Sequence, residues 1–456
     1  MHPPLSAEER GRLRRDVARQ AWPVVLQMLL KTLMFYVDSY MISSVGAEAM
    51  AAMGVVGPIS HTLVAVLSAL SVGTVATVAR AWGEGDRAKQ EREASTSVVL
   101  AFALGVPLTV VGLLVLPHLA ELFRVPDSPA VTEMSRRFLL IEASIFLFWC
   151  LDAAATGILR AAGRTLFPMV AALGANGLNI FLNWVFIYGN LGAPRMGLAG
   201  SALATSIAFA LQGVLTFGYL WTARSPIRLS IAGLRTVTRD SIARLVRVSV
   251  PAGVEPVLLQ SGFLVYNKAI TLLGTQAMAA HRAAITVESM TFMPAWGFAV
   301  AGSAVVGQYL GAGRPDGADA GLRECARLST WLMSAVGVAF FFLAAPLARI
   351  FLRGPESETI VSAAAMCLAI SAFEQPFMAL AMALGGGLRG AGDTKSPVLV
   401  GVLGVWGIRV PLAWALAFPA GLGLNGIWIT MIADWAVRTA VFSVLYRRGR
   451  WKTINL

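Results

Sequence analysis

One stretch of the chain occurs twice, first as Gly46-Ala47-Glu48-Ala49-Met50-Ala51-Ala52 and again, 228 positions later, as Gly274-Thr275-Gln276-Ala277-Met278-Ala279-Ala280. The same offset relates Pro23 to Pro251. Two copies in nearly constant register within 456 residues indicate a duplicated folding unit. In an apolar chain, such a duplication is typical of two-lobed transporters.

The composition favours a protein that lies within a membrane. Hydrophobic residues make up 57% of the chain, charged residues only 14%, and the mean hydropathy is +0.68. Continuous apolar runs of about 20 residues, long enough to cross a bilayer as helices, recur throughout the sequence. Twelve are predicted, near 21–45, 55–81, 95–118, 136–158, 167–191, 197–221, 246–273, 280–310, 327–352, 362–386, 396–419 and 423–446. We therefore predict an all-α polytopic membrane protein, and the absence of short alternating segments excludes a β-barrel.

The repeat divides these twelve helices into two lobes of six, related by an internal pseudo-two-fold repeat. The predicted boundaries are 1–221 for the N-lobe, 222–245 for a cytoplasmic linker and 246–456 for the C-lobe. Because six is an even number, both lobes enter the membrane from the same side. This predicts an axis along the membrane normal and a cavity between the lobes near the midplane.

The net charge of +12 is compatible with a polyanionic partner, but its distribution indicates membrane topology instead. With both termini inside, 26 of the 37 Lys and Arg residues fall in cytoplasmic segments and 6 in outer loops. This bias follows the positive-inside rule. We expect a multi-pass protein of the inner (cytoplasmic) membrane, with cytoplasmic termini and no nucleic-acid partner. The basic stretch 10–19 leads into the first apolar run without a cleavage signal, so that run is expected to stay as an anchor.

Five sequence features, taken in their order and duplication, resemble the multidrug and toxin extrusion (MATE) family over essentially the whole chain. They are Gly274-Thr275-Gln276-Ala277-Met278-Ala279-Ala280-His281, Gly307-Gln308-Tyr309-Leu310-Gly311-Ala312-Gly313-Arg314, Leu388-Arg389-Gly390-Ala391-Gly392-Asp393-Thr394-Lys395-Ser396-Pro397, Asn179-Ile180-Phe181-Leu182-Asn183-Trp184-Val185-Phe186-Ile187-Tyr188-Gly189 and Gly197-Leu198-Ala199-Gly200-Ser201-Ala202-Leu203-Ala204-Thr205. The resemblance implies a secondary antiporter that expels organic cations or amphiphilic compounds in exchange for H⁺ or Na⁺. It implies that the protein is not an enzyme and needs no cofactor. It also implies a monomer in the lipid bilayer, with small organic molecules as partners.

The resemblance also implies a cation-coupling pocket in the N-lobe. Asp38 follows Pro23 by fifteen residues, as in the coupling helix of the DinF-type branch, and Pro23 corresponds to the hinge of that helix. Asn179, Asn183 and Thr205 match polar positions that line the same pocket, which makes these four residues the candidate H⁺ or Na⁺ site. DinF-type relatives usually carry Asp where this chain has Asn183, whereas NorM-type members often carry Asn. The pocket therefore has one carboxylate fewer than a DinF-type sodium site.

Other roles are open for the same residues. Asp38 lies seven positions from Lys31, two turns along the same face, so the two side chains could form an inert ion pair. Asn176 is a secondary candidate for coupling or substrate binding. Asn176, Asn179 and Asn183 could instead hold neighbouring helices together, a common use of polar groups in lipid.

Acidic residues inside other apolar runs are further candidates, because a charge in the membrane costs on the order of 2.5–3.5 kcal/mol. Glu255 and Glu374 lie in the seventh and tenth spans, where NorM-type transporters carry coupling acids about one turn later. Glu374 could instead pair with Arg409. Asp434 and Arg438, four positions apart, are expected to satisfy each other.

Asp152 in the fourth span has no local partner in the sequence. It is either a substrate contact or a hydrogen-bond acceptor for a neighbouring helix. The main alternative to an antiporter is a flippase for lipid-linked precursors, which shares the architecture but tends to have a cationic cavity. A membrane-embedded enzyme would need a metal cluster, a nucleotide loop or a large catalytic loop, and the sequence shows none.

Overall fold

A computed structural model describes residues 6–122, 128–351 and 357–454. Two of the outer-loop arginines, Arg124 and Arg353, lie outside these ranges. The described residues form helices and connecting turns, and no strand occurs among them. The fold class is therefore the predicted one, an all-α polytopic membrane protein.

Seven helices make up the first half of the chain. They are α1 (Ala7–Ser43), α2 (Ala47–Glu84), α3 (Arg87–Leu122), α4 (Pro129–Ala143), α5 (Phe146–Ala161), α6 (Leu166–Tyr188) and α7 (Leu198–Tyr219). The second half comprises a short α8 (Ile231–Leu234), α9 (Arg239–Leu272), α10 (Thr275–Gly311), α11 (Pro315–Phe351), α12 (Ser357–Ser371), α13 (Gln375–Gly390), α14 (Lys395–Val402), a turn of π-helix (Leu403–Arg409), α15 (Val410–Ala417) and α16 (Gly423–Arg448).

The predicted spans all correspond to these helices. Ten helices in the described ranges are long and apolar enough to cross a membrane, and two bent pairs bring the number to 12. The short helix α8 and the first turns of α9, which begins at Arg239, lie within the predicted linker 222–245.

The fourth and tenth spans are broken, although each was predicted as one continuous helix. α4 and α5 meet at a bend of 47°, and α12 and α13 meet at 49°. At each break a serine hydroxyl donates to a carbonyl three residues back, from Ser144 to Ile141 and from Ser371 to Leu368. Such bonds compete with the helical ladder. In the second pair, Pro376 lies in the first turn of α13 and has no N–H to donate to the preceding helix.

Glycines lie at the C-terminal ends of two long helices, α2 and α10. α2 stops at Glu84, and Gly85 takes the left-handed conformation with φ 76° while its N–H donates to Trp82 O. α10 stops at Gly311, and Gly313 has φ 67°. A side chain at these φ values would be strained, which is why glycine ends the helices here.

The contacts divide the chain into two compact units. One is Leu26–Gly253, and the other comprises the described residues up to Val25 together with those from Val254 onward. Each has its own apolar core. The chain therefore passes from one unit to the other inside α1 and inside α9. Both crossings come three residues after a proline, Pro23 or Pro251. The two crossing points are therefore 228 positions apart, which is the offset of the internal repeat.

Candidate cation-coupling site

Asp38 lies near the C-terminal end of α1 and is 6% exposed. Its two carboxylate oxygens are held by neutral groups from two other helices. Asn183 Nδ2 donates to Oδ1 at 2.5 Å, and Thr205 Oγ1 donates to Oδ2 at 3.1 Å. Within the described residues, no cation lies at ion-pair distance from this carboxylate. Asp38 is thus a buried carboxylate solvated by amide and hydroxyl groups.

Asn179 completes a closed network with these residues. Its Nδ2 donates to Thr205 Oγ1 at 3.0 Å, and its Oδ1 accepts from Asn183 Nδ2 at 3.2 Å. Both asparagines are fully buried on one face of α6, four residues apart. Asn183 Oδ1 has no hydrogen-bond donor in the described part of the chain. A buried acceptor without a donor is unfavourable, and it is a ready ligand for a small cation beside the Asp38 carboxylate.

The structure therefore brings together the four residues proposed for the pocket, from α1, α6 and α7. Asn176, the fifth polar candidate, is not bonded to this network, and its Nδ2 is buried without an acceptor. Pro23, the proposed hinge, lies inside the continuous helix α1.

Lys31 does not form the ion pair with Asp38 that the sequence left open. No ion pair of Lys31 occurs among the described residues, and Asp152 and Arg160 are the charged groups close to it. The lysine and Asp38 share a face of α1, but two turns separate them. The first alternative for Asp38 is therefore not the arrangement found.

Asp152 is an acceptor for neighbouring side chains, as one of its two predicted roles required. Its carboxylate is 9% exposed and accepts hydrogen bonds from Gln212 at 2.9 Å and Thr216 at 3.0 Å, both on α7. Thr156, one turn further along α5, donates a third at 3.2 Å.

Sequence reasoning missed a buried arginine and a glutamine in the same unit. Arg160 is 5% exposed and donates to Gln27 Oε1 at 2.7 Å, while Gln27 Nε2 donates to Pro168 O at 3.3 Å. The spacing of Gln27, Lys31 and Asp38 along α1 is four and then seven residues. That helical spacing is the signal in the sequence that places Gln27 on the polar face.

In the other unit, Glu255 is committed to an ion pair. Arg389 Nη2 lies 2.7 Å from both carboxylate oxygens, and its guanidinium also lies 5.4 Å from the centre of the Trp296 ring. The sequence did not predict this pair. Glu255 remains a candidate for coupling only if this bridge opens.

Glu374 does not form the ion pair with Arg409 that the sequence left open. That arginine pairs with Asp434 at 2.8 Å, and Arg438 binds the same carboxylate, so the predicted Asp434–Arg438 pair is present with a second cation added. A π-helical turn ends at Arg409 and alters its register on the helix. The spacing of residues along the sequence does not reveal this π-helical turn, and so it does not identify the partner of Arg409.

Glu374 instead faces Glu288, a residue that the sequence analysis missed. The two carboxyl groups lie within hydrogen-bonding reach of each other, and both interact electrostatically with Arg409. Neither oxygen of Glu374 has a protein donor among the residues described. Glu288 lies inside the eighth apolar run, so the rule that flagged the other intramembrane acids applies to it equally.

No group of three or more His, Cys, Asp or Glu side chains able to hold a metal ion occurs in the described ranges. The Asp38 network supplies one carboxylate, two amides and one hydroxyl. Such oxygen ligands suit a hard monovalent cation or a proton better than a transition metal.

The sequence profile of the MatE family matches the chain twice, over residues 23–185 and 251–415. The two matches begin 228 positions apart, which is the offset of the internal repeat. Together they cover well over half of the sequence. The chain belongs to the MatE family. Each lobe of this MatE protein thus carries one copy of the family's repeating unit.

A curated relative of this MatE protein is the probable multidrug resistance protein NorM of Thermotoga maritima. It is 32% identical over 450 residues, which cover 98% of this chain and 95% of the relative. The Burkholderia vietnamiensis protein named multidrug resistance protein NorM is 30% identical over 443 residues, covering 92% of this chain and 91% of its own.

Solved structures show the same fold at lower identity. A MOP superfamily transporter from Pyrococcus furiosus, described as having a reversed polarity of its binding pocket that suggests a different function, has a TM-score of 0.90 at 21% identity and full coverage of both chains. The fold of this MatE protein is therefore the MATE fold, that of a multi-pass membrane transporter.

Proposed function

We propose that this chain is a secondary antiporter that exports organic cations, amphiphilic drugs or metabolites in exchange for H⁺ or Na⁺, with Asp38 as the coupling residue. One observation carries the proposal. Among the described residues, the buried carboxylate of Asp38 is held by neutral donors alone, beside an amide oxygen of Asn183 that has no donor. Such a carboxylate can bind and release a proton or a metal cation. A carboxylate in an ion pair is already neutralised by the cationic side chain beside it.

The chemistry of the cycle follows from this environment. With Asp38 ionised, Asn183 and Thr205 donate to its oxygens and the pocket attracts a cationic substrate. When a proton or Na⁺ arrives, the negative charge is neutralised and that attraction ends. Asn179, Asn183 and Thr205 supply further oxygen ligands for a sodium ion. We propose that rocking of the lobes, with α1 bending near Pro23, then releases the substrate outward.

The driving force is sufficient for drug export. Moving one charge through 100 mV supplies about 2.3 kcal/mol. Each unit of pH gradient adds about 1.4 kcal/mol. Together, about 3.7 kcal/mol sustains a concentration ratio of roughly 500-fold for a neutral compound exchanged one for one. For a monovalent cation the exchange moves no net charge, and the pH gradient alone sustains a ratio of roughly tenfold.

A flippase for lipid-linked precursors is not favoured. Curated relatives that match nearly the whole chain are named multidrug resistance proteins. The candidate pocket is acidic and amide-rich, whereas a polyanionic lipid head group requires a cationic cavity. We further propose that the protein acts as a monomer in the inner membrane, with cytoplasmic termini, no cofactor and no nucleic-acid partner.

Efflux of a fluorescent organic cation from vesicles tests the proposal. The purified chain is reconstituted, and an imposed pH gradient is compared with an imposed sodium gradient. We expect at least one gradient to drive efflux and Asp38→Asn to abolish it. Asp16→Asn removes an exposed carboxylate from the same helix and is the matched control. Undiminished efflux by Asp38→Asn, or efflux driven by ATP but by neither gradient, would refute the proposal.

A further inference from the structure

Lys31 is half-buried on the polar face of α1, between the buried residues Gln27 and Asp38. Gln27 is 1% exposed and bonds to Arg160 and to Pro168 O, and Asp38 bonds to α6 and α7. A residue four positions after the first and seven before the second shares their helical face. The ammonium group of Lys31 is therefore on the side of α1 that packs into the Leu26–Gly253 unit.

This lysine lacks the partner that a charge inside a membrane protein normally has. It makes no hydrogen bond or ion pair with the described residues, and Asp152 and Arg160 act on it only through space. The carboxylate of Asp152 is already occupied by three neutral donors, which are Thr156, Gln212 and Thr216. Arg160 donates to Gln27 Oε1 but forms no ion pair with the described residues, and its Nε lacks an acceptor there.

These interior charges balance only while Asp38 is ionised. Asp38 and Asp152 contribute two negative charges, and Lys31 and Arg160 contribute two positive ones. Neutralising Asp38 leaves one positive charge without compensation in the same unit. Glu93, another buried carboxyl of the unit, forms an ion pair with Arg244, and Glu142 accepts a hydrogen bond from Ser60.

We propose that Lys31 is the fixed counter-charge that makes the coupling cation and a cationic substrate mutually exclusive. The inference rests on the proposed function and adds a specificity-determining residue to it. While Asp38 is ionised, its charge offsets that of Lys31 and an organic cation is admitted. Once Asp38 is neutralised, Lys31 repels the organic cation, which promotes its release.

The expected size of the effect follows from helix geometry. Seven residues at a rise of 1.5 Å separate the two side chains by about 10 Å along α1. We take the same distance of about 10 Å between a bound monovalent ion and the charged side chain. At an effective dielectric constant of about 20, one unit charge then changes the affinity for that ion by roughly 15-fold.

Tetraphenylphosphonium and tetraphenylborate are the probes, because the two ions have nearly the same size and shape but opposite charge. Their dissociation constants are measured on the full-length protein in detergent. Asp38→Asn represents the neutralised state and is expected to weaken phosphonium binding by about 15-fold while strengthening borate binding. Adding Lys31→Met to Asp38→Asn should recover about 10-fold in phosphonium affinity and weaken borate binding. Lys31→Met alone should bind phosphonium more tightly than the wild type and yet export it more slowly.

Three further variants separate charge from packing. Lys31→Arg keeps the charge and should preserve both ion preferences, while Lys31→Gln repeats the neutralisation with a polar side chain. Lys268→Met removes a lysine from α9, in the other unit, and should change neither affinity. Equal phosphonium affinities for Asp38→Asn and the double variant would overturn the inference, as would shifts of the same sign for both ions. If either of these two results is found while Asp38→Asn still blocks efflux, the antiport proposal survives and only the role of Lys31 fails. Undiminished efflux by Asp38→Asn overturns both.

Discussion

Asn183 Nδ2 donates a hydrogen bond to Asp38 Oδ1 across 145 positions of sequence. The bond joins the first spanning helix to α6 and orients the carboxylate toward Thr205 on α7. Because the donor is a neutral amide, it stabilises the ionised carboxylate without cancelling its charge. This relationship separates a carboxylate that can exchange cations from one locked in an ion pair.

Thr205→Val is expected to impair coupling with little change in volume. Its hydroxyl donates to Asp38 and accepts from Asn179, so its loss leaves two polar groups unsatisfied. Each costs roughly 1–3 kcal/mol when buried. Gradient-driven efflux should fall strongly, whereas Thr205→Ser should retain it. Thr62→Val removes an exposed hydroxyl that bonds only within its own helix and is the control. Equal efflux by the Val and Ser variants would contradict the role.

Asn183→Asp should create a stronger requirement for a bound cation. The new carboxylate replaces the donor to Asp38 and places two like charges together, a repulsion that Na⁺ or H⁺ relieves. We expect the unfolding temperature of the variant to rise more steeply with NaCl than that of the wild type, with choline chloride holding the ionic strength constant. Asn425→Asp adds the same charge at an exposed position outside the site. Identical sodium dependence in all three proteins would show that position 183 does not contact the cation.

The proximity of the four candidate side chains in the first half of the chain could be predicted, because helical spacing and the family motifs carry the necessary information. Asn179 and Asn183 share a face by their separation of four, and an acid in an apolar run identifies Asp38. The motifs supplied the one long-range relationship, the approach of Thr205 to Asp38. What spacing could not exclude was a Lys31–Asp38 pair, because two turns of one helix leave the side-chain directions open.

The C-lobe was predicted less accurately, because its partners come from different helices whose relative register the sequence does not specify. Arg409 was assigned to Glu374, but its π-helical turn brings it to Asp434 instead. The pairing of Glu255 with Arg389 likewise joins α9 to α13. Helix breaks were missed for the same reason, since hydropathy reports the length of an apolar run and not its direction.

Glu255→Gln is expected to destabilise the protein more than it alters coupling. The change leaves Arg389, 9% exposed at its side chain, without its carboxylate, which costs about 3–5 kcal/mol. Glu255→Leu combined with Arg389→Met removes both charges and should recover the unfolding temperature. Thermal unfolding in detergent measures both variants. A fully stable Glu255→Gln protein that fails to transport would instead indicate a coupling role for this carboxylate.

Glu288→Gln should stabilise the C-lobe, because it introduces a donor where two carboxyl groups now face each other. The amide can donate to Glu374, whose oxygens have no protein donor in the described chain, and the like-charge contact disappears. Glu288→Ala removes the same charge but supplies no donor and leaves a cavity. The unfolding temperature should therefore be highest for Gln and lowest for Ala. If Glu288→Gln were no more stable than Glu288→Ala, Glu374 would not depend on residue 288 for its hydrogen bond. The two facing carboxyl groups would then lack the energetic coupling that their geometry indicates.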